Sequence, residues 1–145
     1  MQALAQRVSS AKICIDGKTH ASINEGILAY LCFEAGDEEE VIDKFISKII
    51  NFSFFKGDNN IMSASLKEID GELMIISQFT LAAVTDKGNK PSFHRAAATG
   101  KANFLYNLLL ERLNKAPIRF KSGVFGSGMD IHSVNAGPVT FSFKM

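Results

Sequence analysis

Ser77-Gln78-Phe79-Thr80 is the stretch best equipped for chemistry, because a hydrophobic strand leads there directly into hydroxyl and amide groups. A purely structural reading of it also stands. Serine and threonine satisfy loop amides, Gln78 can tie two strands together, and Phe79 can be core. Convergence with a second segment would decide between the two readings, and Asn135-Ala136-Gly137-Pro138 is the candidate. Glycine there allows close approach, proline restricts the backbone, and the flanking strands can hold the carbonyls at a fixed separation. The same four residues also suit an ordinary turn.

The other reactive residue types form no short pattern. His20, His94 and His132 are widely spaced without a HExxH arrangement, and Cys14 and Cys32 lack zinc-knuckle spacing, so no metal site is expected. Ser122, Ser127 and Ser133 lack a GxSxG elbow, although linear spacing leaves open a distributed triad with His94 or His132. Gly123 to Gly128 lacks the Lys-Ser or Lys-Thr ending of a phosphate loop and reads as a turn, so no nucleotide cofactor is assigned. Lys87, Lys90 and Arg95 offer a basic rim that Lys101 and Arg112 would extend if their helix lies nearby. Such a rim suits phosphate, and it equally suits plain solvation.

The elements that must position these residues are short. Ala3 to Val8 and Lys12 to Ile15 read as two strands parted by Ser9-Ser10, followed by an Asp16-Gly17 turn. Ile27 to Phe33 is too continuously apolar for a half-exposed strand and reads as a central strand covered on both faces. Asp37, with Glu40 three residues on, predicts a capped helix to about Asn51, carrying a stripe of Val41, Ile42, Phe45, Ile46, Ile49 and Ile50. Phe52 to Phe55 returns to strand before a turn at Gly57-Asp58-Asn59-Asn60. Leu66 to Ile69 and Leu73 to Thr80 bracket Asp70-Gly71 as a hairpin, and Ala82 to Phe93 is a surface loop. Thr99 caps a helix from Lys101 to Leu113, with Leu105, Leu108, Leu109 and Leu113 inward and Pro117 as its outer limit. Met129 to Val134, a Gly137-Pro138 corner and Val139 to Phe143 complete the chain. Two helices against many short strands give an α+β class.

Composition fits that picture. At 145 residues, 46% hydrophobic and 21% charged, the chain is expected to fold as one domain over 1–145 without metals or disulfides. A formal charge of +1 announces no general nucleic-acid or membrane field. The two cysteines lie in apolar segments, which favours buried thiols in a reducing compartment, and no signal or membrane-spanning run is expected. A cytoplasmic location follows as the expectation.

At Ser77-Gln78-Phe79-Thr80-Leu81 and Asn135-Ala136-Gly137-Pro138-Val139-Thr140 the chain resembles the D-aminoacyl-tRNA deacylase family of the DTD type. The resemblance runs essentially end to end and includes Gln6-Arg7-Val8, Gly88-Asn89-Lys90-Pro91-Ser92-Phe93, and Phe125-Gly126 with Met129. It implies a cytoplasmic homodimer of β-rich α+β subunits, with antiparallel or mixed barrel-like sheets and two main packed helices. It also implies active sites at the dimer interface that hydrolyse the ester joining a D-amino acid to tRNA, without a cofactor or membrane partner. By the same resemblance the Gly137-Pro138 peptide is cis and reaches into the partner's site, where its carbonyls face the α-amino end and an L side chain is excluded. Achiral glycine would pass such a filter.

Water is then the attacking group, assisted by the 2′-hydroxyl of the terminal adenosine, while Ser77 to Thr80 positions the carbonyl and its amides stabilise the oxyanion. Gln78 would orient that segment, Phe79 support it, Phe125 and Met129 shape the adenosine or aminoacyl pocket, and Arg7 brace the Gly-Pro loop, with Asn135 and Pro91 in supporting positions. The alternatives are Thr80 as a covalent nucleophile and a tRNA-binding homodimer with weak turnover. Two departures stand out. Ala136 occupies a commonly acidic position, and Asn89 one often filled by a larger side chain.

Overall fold

The computed structural model describes residues 1–57, 62–86 and 88–145. Its first strand, β1 (Gln2–Ile15), runs through Ser9-Ser10 without a break, where two shorter strands are expected from the sequence. Pairing explains the difference. β1 is hydrogen-bonded to β3 (Gly26–Cys32) over Gln2 to Val8 and to β2 (Lys18–Ile23) over Ala11 to Ile15. The long last strand, β8 (Asp130–Lys144), follows β1 from Gln2↔Lys144 to Cys14↔Asp130. Two exposed serines therefore become a local register irregularity rather than a strand end. The turn at Asp16-Gly17 forms as expected, with both residues at positive φ (49° and 72°).

β3 is central, antiparallel to β1 and parallel to β6 (Glu72–Ser77), which in turn pairs parallel with β7 (Arg119–Ser122). The order β2-β1-β3-β6-β7, with β8 on β1, makes one mixed sheet whose β2 end comes round against β7. Continuous apolarity in β3 has the predicted cause, and β6 shares it. Ile27, Ala29, Leu31, Leu73 and Ile75 enter the core under the helices, while Leu28, Met74 and Ile76 enter a second core with Val8 and Ile13.

Helix α1 (Glu40–Asn51) buries Ile42, Phe45, Ile49 and Ile50, but Asp37 is not its cap. The Asp37 carboxylate instead accepts hydrogen bonds from the Met1 ammonium (2.6 Å) and the Glu34 N–H (2.7 Å), so the helix starts behind Glu39. A buried ammonium is a stronger partner for a carboxylate than solvated helix amides. Thr99 likewise supplies no side-chain cap: it is the first residue of α2 (Thr99–Leu113), behind Ala98. α2 buries Leu105, Leu109 and Leu113 as expected, and Tyr106 besides. Lys101 bonds to Glu38 (2.7 Å) and Arg112 to Glu39 (2.9 Å) and Asp43 (2.8 Å), tying the helices together. These two cations belong to the helix pair and not to a basic rim.

The expected hairpin at Asp70-Gly71 does not form. Residues 66–70 are a turn, held by the Ser65 N–H and hydroxyl donating to the Glu68 carboxylate (2.7 and 2.6 Å) and the Glu68 N–H returning to Ser65 Oγ (3.3 Å). This reciprocal capping outweighs the weak strand signal of four residues, and β6 enters the sheet parallel to β3 instead. β4 (Ser53–Lys56) and β5 (Met62–Ser65) form a separate antiparallel pair. The turn expected at 57–60 lies, past Gly57, outside the described residues. Phe52 and Phe54 stack edge-on against Phe141 (5.0 and 5.3 Å between ring centres), which docks β4 on β8. No helix among the described residues is long and apolar enough to cross a membrane.

Candidate active site

Parallel pairing brings the carboxyl ends of β3 and β6 to one edge, and a cavity of about 580 Å³ opens there. Ser77, Gln78 and Phe79 line it together with Phe125 and Met129, with Cys32 and Ile76 also in its wall. The predicted strand to Thr80 stops at Ser77, because the chain turns into a 3-10 segment over Phe79–Ala82. That turn swings Phe79 outward. It is 56% exposed, its ring set edge-on to Phe93 at 5.0 Å, so the reading of Phe79 as core is overturned.

Gln78 anchors this segment. Its N–H donates to Leu31 O (2.7 Å) and its side-chain amide donates to Thr80 Oγ1 (2.6 Å). Hydrogen bonding within the 3-10 segment begins at the Leu81 N–H, which donates to Gln78 O (3.2 Å), so the N–H groups of Phe79 and Thr80 meet no acceptor among the described residues. Phe79 lines the cavity and the exposed Thr80 does not, so the two neighbouring free amides run from the lining outward, and such a pair suits an oxygen that gains negative charge. The Cys32 thiol lies below, 3.5 Å from Phe79 O and 3.3 Å from Phe33 O, and burial pushes its pKa up. It remains a thiol and a poor nucleophile.

The second predicted segment is elsewhere in the chain. Asn135 to Val139 lies within β8, with Gly137 at φ 137° and the Gly137-Pro138 peptide cis, so the expected corner is an irregularity in a continuous strand. Gly137 and Pro138 are exposed and do not line the cavity of their own chain. Arg7 donates to Ala136 O (2.8 Å) and to Phe54 O (2.9 Å), which pins the segment against β4. Asn135 accepts the Val139 N–H (3.1 Å) and donates to Thr140 Oγ1 (3.1 Å). With an alanine at 136, the loop is held through its backbone carbonyl and through Asn135.

Pro91 and Asn89 are exposed on the loop closed by the Val84↔Ser92 bridge, away from the cavity lining. Lys87 lies outside the described residues, while Lys90 and Arg95 are exposed. Arg7, Arg112 and Arg119 all donate to acceptors, whereas Arg95 has no side-chain partner among the described residues. His94 meets Ser92 Oγ (2.8 Å), and no hydrogen bond joins Ser122, Ser127 or Ser133 to either His94 or His132 among the described residues.

Tyr106 went unread in the sequence, although a tyrosine beside the buried Leu105, Leu109, Leu113 stripe needs a buried partner for its hydroxyl. The hydroxyl lies 3.0 Å from Gly123 O and 3.2 Å from Ile75 O, and burial pushes its pKa up to about 12.

Comparison with known proteins places these segments in context. A family model described as D-Tyr-tRNA(Tyr) deacylase matches residues 4–144. A D-aminoacyl-tRNA deacylase of Pseudoalteromonas translucida (strain TAC 125) is 43% identical, with 100% of each chain covered. One from Francisella tularensis subsp. tularensis (strain WY96-3418) is 40% identical, again over 100% of both. Among solved structures, a protein described as c-Myc DNA Unwinding Element Binding Protein superposes with a TM-score of 0.94 at 35% identity, covering 100% of this chain and 99% of that one. A structure described as "a probable eukaryotic D-amino acid tRNA deacylase" shares the fold, with a TM-score of 0.84 at 18% identity over 98% and 97% of the two chains.

Proposed function

The chain belongs to the D-aminoacyl-tRNA deacylase family and is a hydrolase of D-aminoacyl-tRNA, and from that premise we propose that its cavity takes the aminoacylated 3′-adenosine and admits D-aminoacyl and glycyl esters while refusing L-aminoacyl ones. The observation that carries this reading is the free amide of Phe79, continued by that of Thr80 at the next residue, in a cavity that Phe125 and Met129 also line as an aromatic and thioether wall. Adenosine packs on the wall. The ester carbonyl oxygen lies toward the amides, water attacks its carbon with help from the 2′-hydroxyl, the bond to the 3′-oxygen breaks, and the proton ends on that oxygen.

Chirality is refused by a rigid backbone rather than by a tuned side chain. Gly137-Pro138 is exposed on its own chain and braced by Arg7 and Asn135, which suits a segment that enters the cavity of a second protomer in a cytoplasmic homodimer. Its carbonyls would take the α-amino group, leaving no space for a side chain of L configuration. Lys90 and Arg95, exposed beside Phe93, would meet phosphates of the acceptor end.

Thr80 is a poor nucleophile in this arrangement. Its hydroxyl oxygen already accepts the Gln78 amide, and no histidine, lysine or carboxylate bonds to it among the described residues. Thr80→Ala is accordingly expected to keep kcat on D-aminoacyl-tRNA within about tenfold of wild type, whereas loss of an essential nucleophile costs roughly four orders of magnitude or more. Single-turnover release of labelled amino acid separates the two.

The function itself is tested by matched D- and L-aminoacyl esters and a glycyl ester on one tRNA, with spontaneous hydrolysis as control. Cleavage of D and glycyl esters with L at the control rate is the expected result. Equal cleavage of D and L rejects the chiral filter, and no cleavage of any ester leaves only an RNA-binding role.

A further inference from the structure

The two sides of the cavity leave the sheet at a single fork. β6 and β7 pair in parallel as far as Ile75↔Ser122, and beyond it the Gly123 N–H donates to Ile75 O (2.8 Å) as their last backbone link. One branch then runs two residues to Ser77, the other two residues to Phe125. Into this fork α2 inserts Tyr106, 1% exposed, with its hydroxyl against Ile75 O (3.2 Å) and Gly123 O (3.0 Å). Its ring lies 5.8 Å from that of Phe125. A Cβ at Gly123 would stand 2.7 Å from Met129 Sδ, so Met129 too is seated on the fork.

The geometry points to Tyr106 as a positioning residue whose hydroxyl sets the separation between the ester-holding Ser77–Thr80 segment and the adenosine-holding Phe125/Met129 wall. It touches neither part of the substrate. This rests on the functional reading above, since it matters only for a ligand that engages both branches at once. The phenol donates its single proton to one or other of two carbonyls two residues upstream of the two half-sites. Without it the backbone link from Gly123 remains, but the angle between the branches is no longer fixed from the helix side. A ligand on one branch is indifferent to that angle. A ligand that spans both loses the matched spacing, and misplacements of about 1 Å cost up to a hundredfold in rate.

Tyr106→Phe keeps the ring and removes the hydroxyl. The probes are adenosine, which needs only the wall, and a D-aminoacyl-adenosine joined through a non-hydrolysable 3′-amide, which needs both branches. Calorimetry is expected to show adenosine binding within about twofold of wild type and the amide analogue weakened at least about tenfold, with kcat/KM on D-aminoacyl-tRNA falling by a similar factor. A cooperative thermal melt run beside the calorimetry, together with the retained adenosine affinity, establishes that the variant is folded and its wall intact. An unchanged analogue affinity overturns the proposal. So does equal weakening of both probes, the mark of a loosened wall. Wild-type protein that cleaves D-aminoacyl-tRNA yet binds neither probe would instead overturn the placement of adenosine, a failure separate from that of Tyr106.

Discussion

Gly137→Ala is expected to lose about a hundredfold or more in kcat/KM on D-aminoacyl-tRNA while the chain still folds. Gly137 sits at φ 137°, a conformation that side chains of L residues rarely adopt. An added Cβ would stand 2.7 Å from the Arg7 guanidinium, 2.8 Å from Val139 Cγ2 and 3.1 Å from Val139 N. The Arg7 tip is flexible in principle, but it is held by Ala136 O and Phe54 O, so yielding means giving up two hydrogen bonds. Val139 N cannot yield without breaking its bond to Asn135. Relief must come from the exposed 136–138 segment itself, the part assigned to the chiral filter. Strain of this kind costs about 1–3 kcal/mol, or about 3–10 °C in Tm for a chain of this size. Steady-state kinetics beside a thermal melt is the measurement. A variant with wild-type kcat/KM would remove Gly137-Pro138 from the site, and one that no longer folds would make it structural.

Gly26→Ala is the corresponding prediction for the fold. Gly26 opens β3 opposite Glu72 of β6, where the Glu72 N–H donates to Glu25 O (3.1 Å) and the Glu72 carboxylate accepts the Asn24 N–H (2.6 Å). A Cβ there would overlap the Glu72 carbonyl oxygen and come within 2.8 Å of Glu72 N, backbone atoms that no rotamer change can move aside. β6 would have to leave its register between β3 and β7, and Ser77 would move with it. The cost is at least about 3 kcal/mol, a fall in Tm of about 10 °C or more. Urea unfolding measures it directly. A loss under about 1 kcal/mol would show that the β3–β6 spacing is softer than the structure has it.

Much of this architecture could be read from residue order, and the failures share a cause. The doubly buried β3, the α1 stripe, the Asp16-Gly17 turn and the inward leucines of α2 are strong local patterns that tertiary packing merely used. The misreadings occurred where a distant partner outbid a local one. Asp37 carries a good capping signature, yet the Met1 ammonium reaches it first. Leu66 to Ile69 has apolar strand content, yet Ser65 and Glu68 close it into a turn. Ser9-Ser10 resembles a break, yet three neighbouring strands hold β1 straight. Of the site, Ser77, Gln78, Phe79, Phe125 and Met129 converge on one cavity, whereas Gly137 and Pro138 lie apart from it within their own chain. Tyr106 escaped notice because its role lies in two backbone carbonyls, which no residue type announces.

The pairing of β1 with β8 sets an order of events as the protein is made. β1 finds β2 and β3 within the next few residues of chain, but its remaining edge waits for β8, as distant in sequence as Gln2 is from Lys144. A nascent chain on the ribosome therefore carries that edge unpaired until residues 130–144 have been made, a template for wrong partners. Arg7 waits as well, since Ala136 arrives only with β8. The segment assigned to tell one mirror image from the other thus sits on the very strand for which β1 must wait.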